Sequence, residues 1–384
     1  MRAGAVERHV ERPVERCSCC APVRIAILGT RGVPARYGGF ETFAEELGAR
    51  LAARGHQVTV YGRNQWVLRG IKHHRGMEIR RLPAPRSKYL ETVVHTLFAA
   101  FAVAPRRYDV IYVCNVANAP AVLVLLAARK KVVLNVDGLE WQRAKWGLLG
   151  RSYYRFCAWL AAHLPVHIVT DAHVIQGYWQ RHYNRTSDYF AYGTSLSPVT
   201  DDGTLARLGL EPGRYVLYVS RLEPENNADL VVAAYANVRT DLPLALVGDA
   251  PYAGDFIARL RDAATRDPRV RLLGAHYGSE YQVLRSHAAA YVQATEVGGT
   301  HPALVEAMGF GNAIAANDVP EHREVLGEAG LYYRGAPALT DALQRLLDDP
   351  VLATAMRTRA TDRARERYDW DSIAAEYESW LEGL

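Results

Sequence analysis

Short apolar runs alternate with amphipathic stretches along most of the chain, and this alternation predicts an α/β architecture. Residues 23–28 form a continuous apolar-rich run closed by Gly29, the pattern of a strand covered on both faces of a parallel sheet. A loop with Gly29, Gly32, Gly38 and Gly39 follows. It leads into a helix predicted over 41–54, with Phe43, Leu47 and Leu51 on one face, and then a strand over 57–61. Further strands are predicted at 109–114, 131–136 and 167–170. The second half repeats the scheme: strands at 214–219, 243–247, 270–273, 288–293 and 313–316, with helices at 228–238 and 256–265. Within it, TEVGGTHPALVEAMGFGN (295–312) places a glycine pair before a short apolar helix predicted over 302–308. Pro302 suits the first helical position, and Gly309 and Gly311 suit the exit. A final helix over 371–384 carries Ile373, Tyr377, Trp380 and Leu381 at helical spacing, a packing stripe.

The pattern divides the chain into a disordered tail (1–22), a Rossmann-like domain (23–192), a polar linker (193–210), a second Rossmann-like domain (211–366) and a C-terminal segment (367–384) packing back toward the first. Two doubly wound sheets would face a central cleft with their carboxyl ends, where such sheets bind ligands.

Composition narrows the classes. With 49% hydrophobic and 23% charged residues and a formal net charge of +5, the chain is an ordinary globular protein, without the dense basic run of a nucleic-acid binder. No apolar run reaches the ~20 residues needed to span a bilayer. The five cysteines are an odd number, against a disulfide framework and in favour of a reducing cytoplasm. Cys17, Cys19 and Cys20 cluster in the tail without a second ligand group at metal spacing, so no metal is expected. Residues 63–88 hold Arg63, Arg69, Lys72, Arg75, Arg80, Arg81, Arg86 and Lys88 against Glu78 alone. That stretch reads either as a solvated face or as a peripheral contact with an anionic inner membrane surface.

The common catalytic motifs are missing. The first loop reads G-T-R-G-V-P, and the second strand ends at Tyr61-Gly62-Arg63 without the acid that holds an NAD ribose, so a dehydrogenase is disfavoured. No nucleophile elbow, zinc-protease helix or P-loop occurs. What remains is a constellation. Gly298, Gly299 and Thr300 leave backbone N–H groups open beside a helix N-terminus, which suits phosphate, although a plain turn explains them too. Glu306, among Leu304, Val305, Ala307 and Met308, needs a partner such as a sugar hydroxyl pair, unless it sits at a rim. Arg221 follows one strand, and Asp137, with Glu140, Arg143 and Lys145 beyond it, follows another. These charges face either the cleft or solvent.

Five segments carry a resemblance: GTRGVPARYGGFET (29–42), DGLEWQRAKW (137–146), RLEPENN (221–227), VGGTHPALVEAM (297–308) and YDWDSIAAEYE (368–378). Over about residues 23–382 the chain resembles the retaining GT-B glycosyltransferases of the glycogen-synthase-like group, glycosyltransferase family 4, and within them a bacterial rhamnosyltransferase-like branch. The resemblance implies a metal-independent cytoplasmic enzyme without a cofactor. It would move a sugar from a nucleotide-diphosphate donor, dTDP-rhamnose or a UDP-hexose, to a glycan or lipid-linked acceptor. By that resemblance the first domain holds the acceptor and the second the nucleotide sugar. Gly38 and Gly39 lie over the donor diphosphate, with Gly298, Gly299 and Thr300 on it from the second domain. Arg221 binds it from the other side, Glu306 holds the ribose, and Asp137 stands where many relatives have a histidine beside the reacting sugar. Two departures stand out. The family's first glutamate, eight positions before Glu306, is Gly298, leaving Glu296, His301 or backbone amides to hold the donor sugar. The family lysine is Asn226, leaving Arg31, Arg36 or Arg323 to supply its charge. A nucleotide-sugar epimerase of the same fold, or a non-catalytic sugar-nucleotide-binding subunit, is the alternative.

Overall fold

The computed structural model describes residues 21–384 except 37, 88–89, 144, 197 and 251–252. The Cys17, Cys19 and Cys20 cluster and most of the predicted disordered tail lie outside the described residues. The chain forms two parallel sheets. The first has eight strands: β1 Arg24–Leu28, β2 Gln57–Arg63, β3 His73–His74, β4 Met77–Leu82, β5 Val110–Cys114, β6 Val132–Asn135, β7 His167–Thr170 and β8 Asp188–Tyr189. Their order is β3-β4-β2-β1-β5-β6-β7-β8, with only β3 antiparallel to its neighbour. The second has six: β9 Val216–Val219, β10 Leu244–Val247, β11 Val270–Gly274, β12 Ala290–Gln293, β13 Ile314–Asn317 and β14 Leu331–Tyr333, in the order β11-β10-β9-β12-β13-β14.

In each sheet the winding direction reverses once, at β1/β5 and at β9/β12. Ligand crevices of doubly wound sheets open at such points, beyond the carboxyl ends of the strands. At the first, Gly29 takes φ +90, and a Cβ there would meet the Cys114 carbonyl oxygen at 2.3 Å. Only glycine lets the chain leave β1 this tightly.

The helices of the first half are α1 Gly39–Ala53, α2 Glu91–Val103, α3 Ala119–Ala127, α4 Leu148–His163 and α5 His173–Tyr183. The rest are α6 Thr204–Arg207, α7 Ala228–Tyr235, α8 Gly254–Arg266, α9 Gly278–Ser286, α10 Pro302–Gly309, α11 Pro320–Leu326, α12 Gly335–Asp348, α13 Pro350–Arg367 and α14 Trp370–Gly383. The inner sides of α2, α3 and α4 pack on one face of the first sheet. The opposite face receives α1 together with α14, whose Ile373, Ala374, Tyr377 and Leu381 are buried with Phe43, Tyr112 and Val133. The hydroxyls of Tyr377 and Tyr112 hydrogen-bond at 3.0 Å.

The basic stretch over 63–88 contains a strand that the sequence pattern did not reveal. Its MEIRRL segment alternates, sending Met77 and Ile79 inward as β4. Arg63 is 3% exposed and pairs with Glu91 at 3.2 Å, while Arg75 pairs with Glu46 and Arg80 with Glu78. Those three cations are paired within the protein, while Arg69, Lys72 and Arg86 are exposed. Among the described residues no helix is long and apolar enough to cross a membrane.

Candidate active site

The loops beyond the strand ends enclose a cavity of 660 Å³ between the two sheets. Gly38, Gly39, Asp137, Arg221, Gly298, Gly299, His301 and Glu306 all line it. The N-termini of α1 and α10 abut: a Cβ on Gly39 would lie 3.0 Å from Pro302 Cγ. Two positive helix ends thus open into one space, an arrangement that favours an anion.

Opposite them, the loop after β6 reaches across to the loop after β9. Lys145 Nζ lies 3.4 Å from Glu223 and 3.8 Å from Glu225, and Arg221 shares Glu223 at 3.7 Å. Burial lowers the Lys145 pKa to about 8, helped by the neighbouring Arg221 and Arg143. Glu223 loses solvation on burial, but Arg221 and Lys145 outweigh that and hold it below the usual carboxylate range. Arg143 binds Glu140 at 2.5 Å, and despite burial Arg143 and Lys145 bring Glu140 down to about 2. Two cations from the first sheet, Lys145 and Arg143, thus line the cavity with Arg221, where Asn226 replaces the family lysine. Of the substitutes expected, Arg31 lines the cavity but pairs with Glu91, Arg36 is exposed, and Arg323 is bound to Asp318 away from the cleft.

Asp137 has φ +49, and its N–H donates to Asn135 Oδ1 at 2.9 Å. Burial and then Glu140 raise its pKa to about 6, against the pull of Arg143. Behind it stands Asp171, which sequence reasoning missed although it too follows a buried strand, β7. Burial and the nearby Asp137 raise Asp171 to about 8.

Asp171 corrects one expectation. Its Oδ2 accepts the Thr300 N–H at 2.9 Å and its carbonyl accepts the Thr300 hydroxyl, so Thr300, 1% exposed, is spent on a contact between the two sheets and is not open to phosphate. Glu296 is corrected as well: it is exposed, outside the cavity lining, and accepts from Asn227 Nδ2 at 2.9 Å. His301 is in place. It takes φ +53, is 8% exposed and packs at 4.5 Å from the His322 ring. Burial and then His322 hold its pKa well below the ordinary value, so its imidazole is neutral. Gly298 has a steric cause. A Cβ there would meet His301 Cε1 at 2.6 Å, and a Cβ on Gly138 would meet the Gly298 backbone at 2.9 Å.

Glu306 has protein partners that sequence reasoning did not supply. The Arg285 guanidinium pairs with it, and the Tyr281 hydroxyl donates to it at 3.1 Å. Burial raises its pKa even so, with Arg285 opposing. Both partners sit on α9, and no sequence signal links that amphipathic helix to α10.

Two facing Rossmann-like sheets with a polar, anion-suited cleft between them make the GT-B fold. The chain carries a "Glycosyl transferase 4-like domain" over residues 38–186 and the "Glycosyl transferases group 1" domain over residues 213–349. Among its relatives is a GDP-mannose-dependent alpha-(1-6)-phosphatidylinositol monomannoside mannosyltransferase of Mycolicibacterium smegmatis, 26% identical over 93% of this chain and 98% of the relative. Another is the O-antigen chain mannosyltransferase B of Escherichia coli, 25% identical over 42% of this chain and 44% of the relative, so the chain spans under half of that protein's length. Among solved structures, sucrose-phosphate synthase from Thermosynechococcus elongatus superposes with a TM-score of 0.80 at 21% identity, covering 94% of this chain and 99% of that one. The Anabaena protein HepE in complex with UDP-glucose superposes with a TM-score of 0.77 at 17% identity, covering 94% and 100%.

Proposed function

We propose that this glycosyltransferase uses a nucleotide-diphosphate hexose, retains the configuration at the transferred carbon and needs no metal. The observation that carries the reading is the convergence of Arg221 and Lys145, from opposite sheets, on a cavity into which α1 and α10 open their N-termini. A departing nucleotide diphosphate gains negative charge as the glycosidic bond breaks. Preorganised cations and helix ends stabilise that charge most in the transition state. Asp137, protonated in part near neutral pH, hydrogen-bonds the reacting sugar, and the neutral His301 takes the place of the absent first glutamate. Glu306 binds the ribose with one oxygen while Arg285 and Tyr281 hold the other. The departing phosphate accepts the acceptor's proton on the same face.

The donor class includes UDP-hexoses and dTDP-rhamnose. Named relatives transfer mannose or N-acetylgalactosamine, and one solved neighbour binds UDP-glucose. A glycan or lipid-linked acceptor agrees with relatives named for O-antigen, undecaprenol-linked and phosphatidylinositol substrates.

Calorimetry with UDP, GDP and dTDP tests the site. Arg221→Ala should weaken the preferred nucleotide by about tenfold or more, the range for losing a charge-assisted hydrogen bond. Affinity for the matching nucleoside without phosphate should not change. Full affinity and turnover in Arg221→Ala would overturn the assignment. Conversion of donor incubated alone would favour an epimerase.

A further inference from the structure

The outer side of α2, α3 and α4 is unusually apolar. Twelve large apolar side chains are exposed among the described residues, and nine fall on or beside these three helices, including Phe98, Phe101, Leu123, Leu148, Phe156 and Trp159. α2 packs beside α3 and α3 beside α4, so the residues form one surface. On α2, Leu97, Phe98 and Phe101 recur at helical spacing, and on α4 so do Leu149, Phe156 and Trp159. Leu148 and Leu149, 83% and 89% exposed, project where α4 begins, directly after Lys145 and Trp146 of the cavity wall. The patch therefore runs up to the mouth of the cleft.

Its charge is one-sided. Between residues 90 and 163 there are nine lysines and arginines and four acids. Three of the acids, Glu91, Asp137 and Glu140, line the cavity, and the fourth, Asp109, is bound to Arg24. The three helices contribute no acid to the outer surface, whereas Arg155 is exposed amid the α4 stripe and Arg107 and Arg129 are exposed at the ends of α2 and α3. A large apolar surface rimmed by one sign of charge marks an interaction site. A partner protein surface or a second copy of this chain would bring acids of its own to cover it, and a second copy has none on this face.

We propose that the α2–α3–α4 face seats on an anionic lipid bilayer, with its apolar side chains at the headgroup boundary and its arginines on the lipid phosphates. Such seating combines apolar burial with attraction to anionic lipid. It rests on the proposed lipid-linked acceptor and deepens it, because it presents the cleft mouth to the membrane surface from which the acceptor would enter.

Co-sedimentation with vesicles tests it, using phosphatidylcholine alone and phosphatidylcholine mixed equally with phosphatidylglycerol. The full chain should pellet with the anionic vesicles at low salt, and with neither kind at high salt once the charges are screened. The double variants Leu148→Glu/Leu149→Glu and Phe98→Glu/Phe101→Glu should each lower the bound fraction about tenfold or more, with melting temperature and nucleotide affinity unchanged. Arg151→Gln/Arg155→Gln should weaken anionic binding severalfold. The proposal is overturned by absence of vesicle binding at low salt or by binding that ignores both apolar variants. Dimerisation in solution that the apolar variants abolish, without vesicle binding, would overturn it too. Nucleotide binding and transfer to a water-soluble acceptor test the enzyme reading separately, so the two can fail independently.

Discussion

Lys145 shows how one side chain can serve two roles. In the cleft its ammonium bridges the sheets through Glu223 and Glu225, yet burial and two guanidiniums have brought its pKa to about 8. An entering diphosphate would restore the full charge. In the free protein the ammonium is lost as pH rises through that value, so nucleotide-diphosphate affinity should fall severalfold between pH about 7 and about 9. Titration calorimetry across that range should find the slope removed in Lys145→Ala and shifted to higher pH in Lys145→Arg. At this scale the sequence was legible where an acid or base follows a buried strand, as for Asp137 and Arg221. Asp171 carries the same signal and was passed over, because its partner, the Thr300 amide, lies 129 residues away.

Among the elements, long apolar runs and glycine-bounded helices were readable because each carries its own signal of burial. The predicted helix over 302–308 is observed as Pro302–Gly309. β4 was hidden because two arginines stand in a six-residue strand whose inward side holds only Met77 and Ile79. α14 illustrates the limit of periodicity: its stripe announces packing without naming the surface. The structure seats it on the first sheet, where Tyr377 is fully buried against Phe43 at 5.8 Å and Phe190 at 4.0 Å. Tyr377→Ala should cost about 3 kcal/mol or more, the usual price of emptying an aromatic site. Denaturant unfolding checks it, and Tyr377→Phe should lose only the share of the hydroxyl bond to Tyr112.

For the whole molecule, the two sheets are tied at several points around the cleft. Glu324 of α11 accepts the His173 and Val174 N–H groups at the start of α5, at 2.7 and 2.9 Å, and Asp171 holds Thr300. The Asp171 contact is pH-sensitive. Its pKa is about 8 here and about 3.9 in a solvated chain, so between those values the closed, folded form binds the extra proton. The contribution is complete below about pH 4, declines as pH rises and is gone above about 8. Asp171 therefore pulls the melting temperature down from pH about 5 to about 8, most clearly above about 6.5, where the buried, neutral His301 no longer acts in the opposite sense. Asp171→Asn, which keeps an acceptor for the Thr300 N–H without ionising, should flatten that decline, and an unchanged slope would refute it. Two-sheet architecture and the cleft's place were legible from alternation alone, whereas ties across the cleft depend on how the sheets meet.

The meeting of Gly138 with Gly298 has a practical consequence. Backbone passes backbone there with no room for a methyl group. Alanine at Gly138 would act as a doorstop, holding the two halves apart without touching a charge in the cleft. The variant would let the two sheets be studied without their contact at this point.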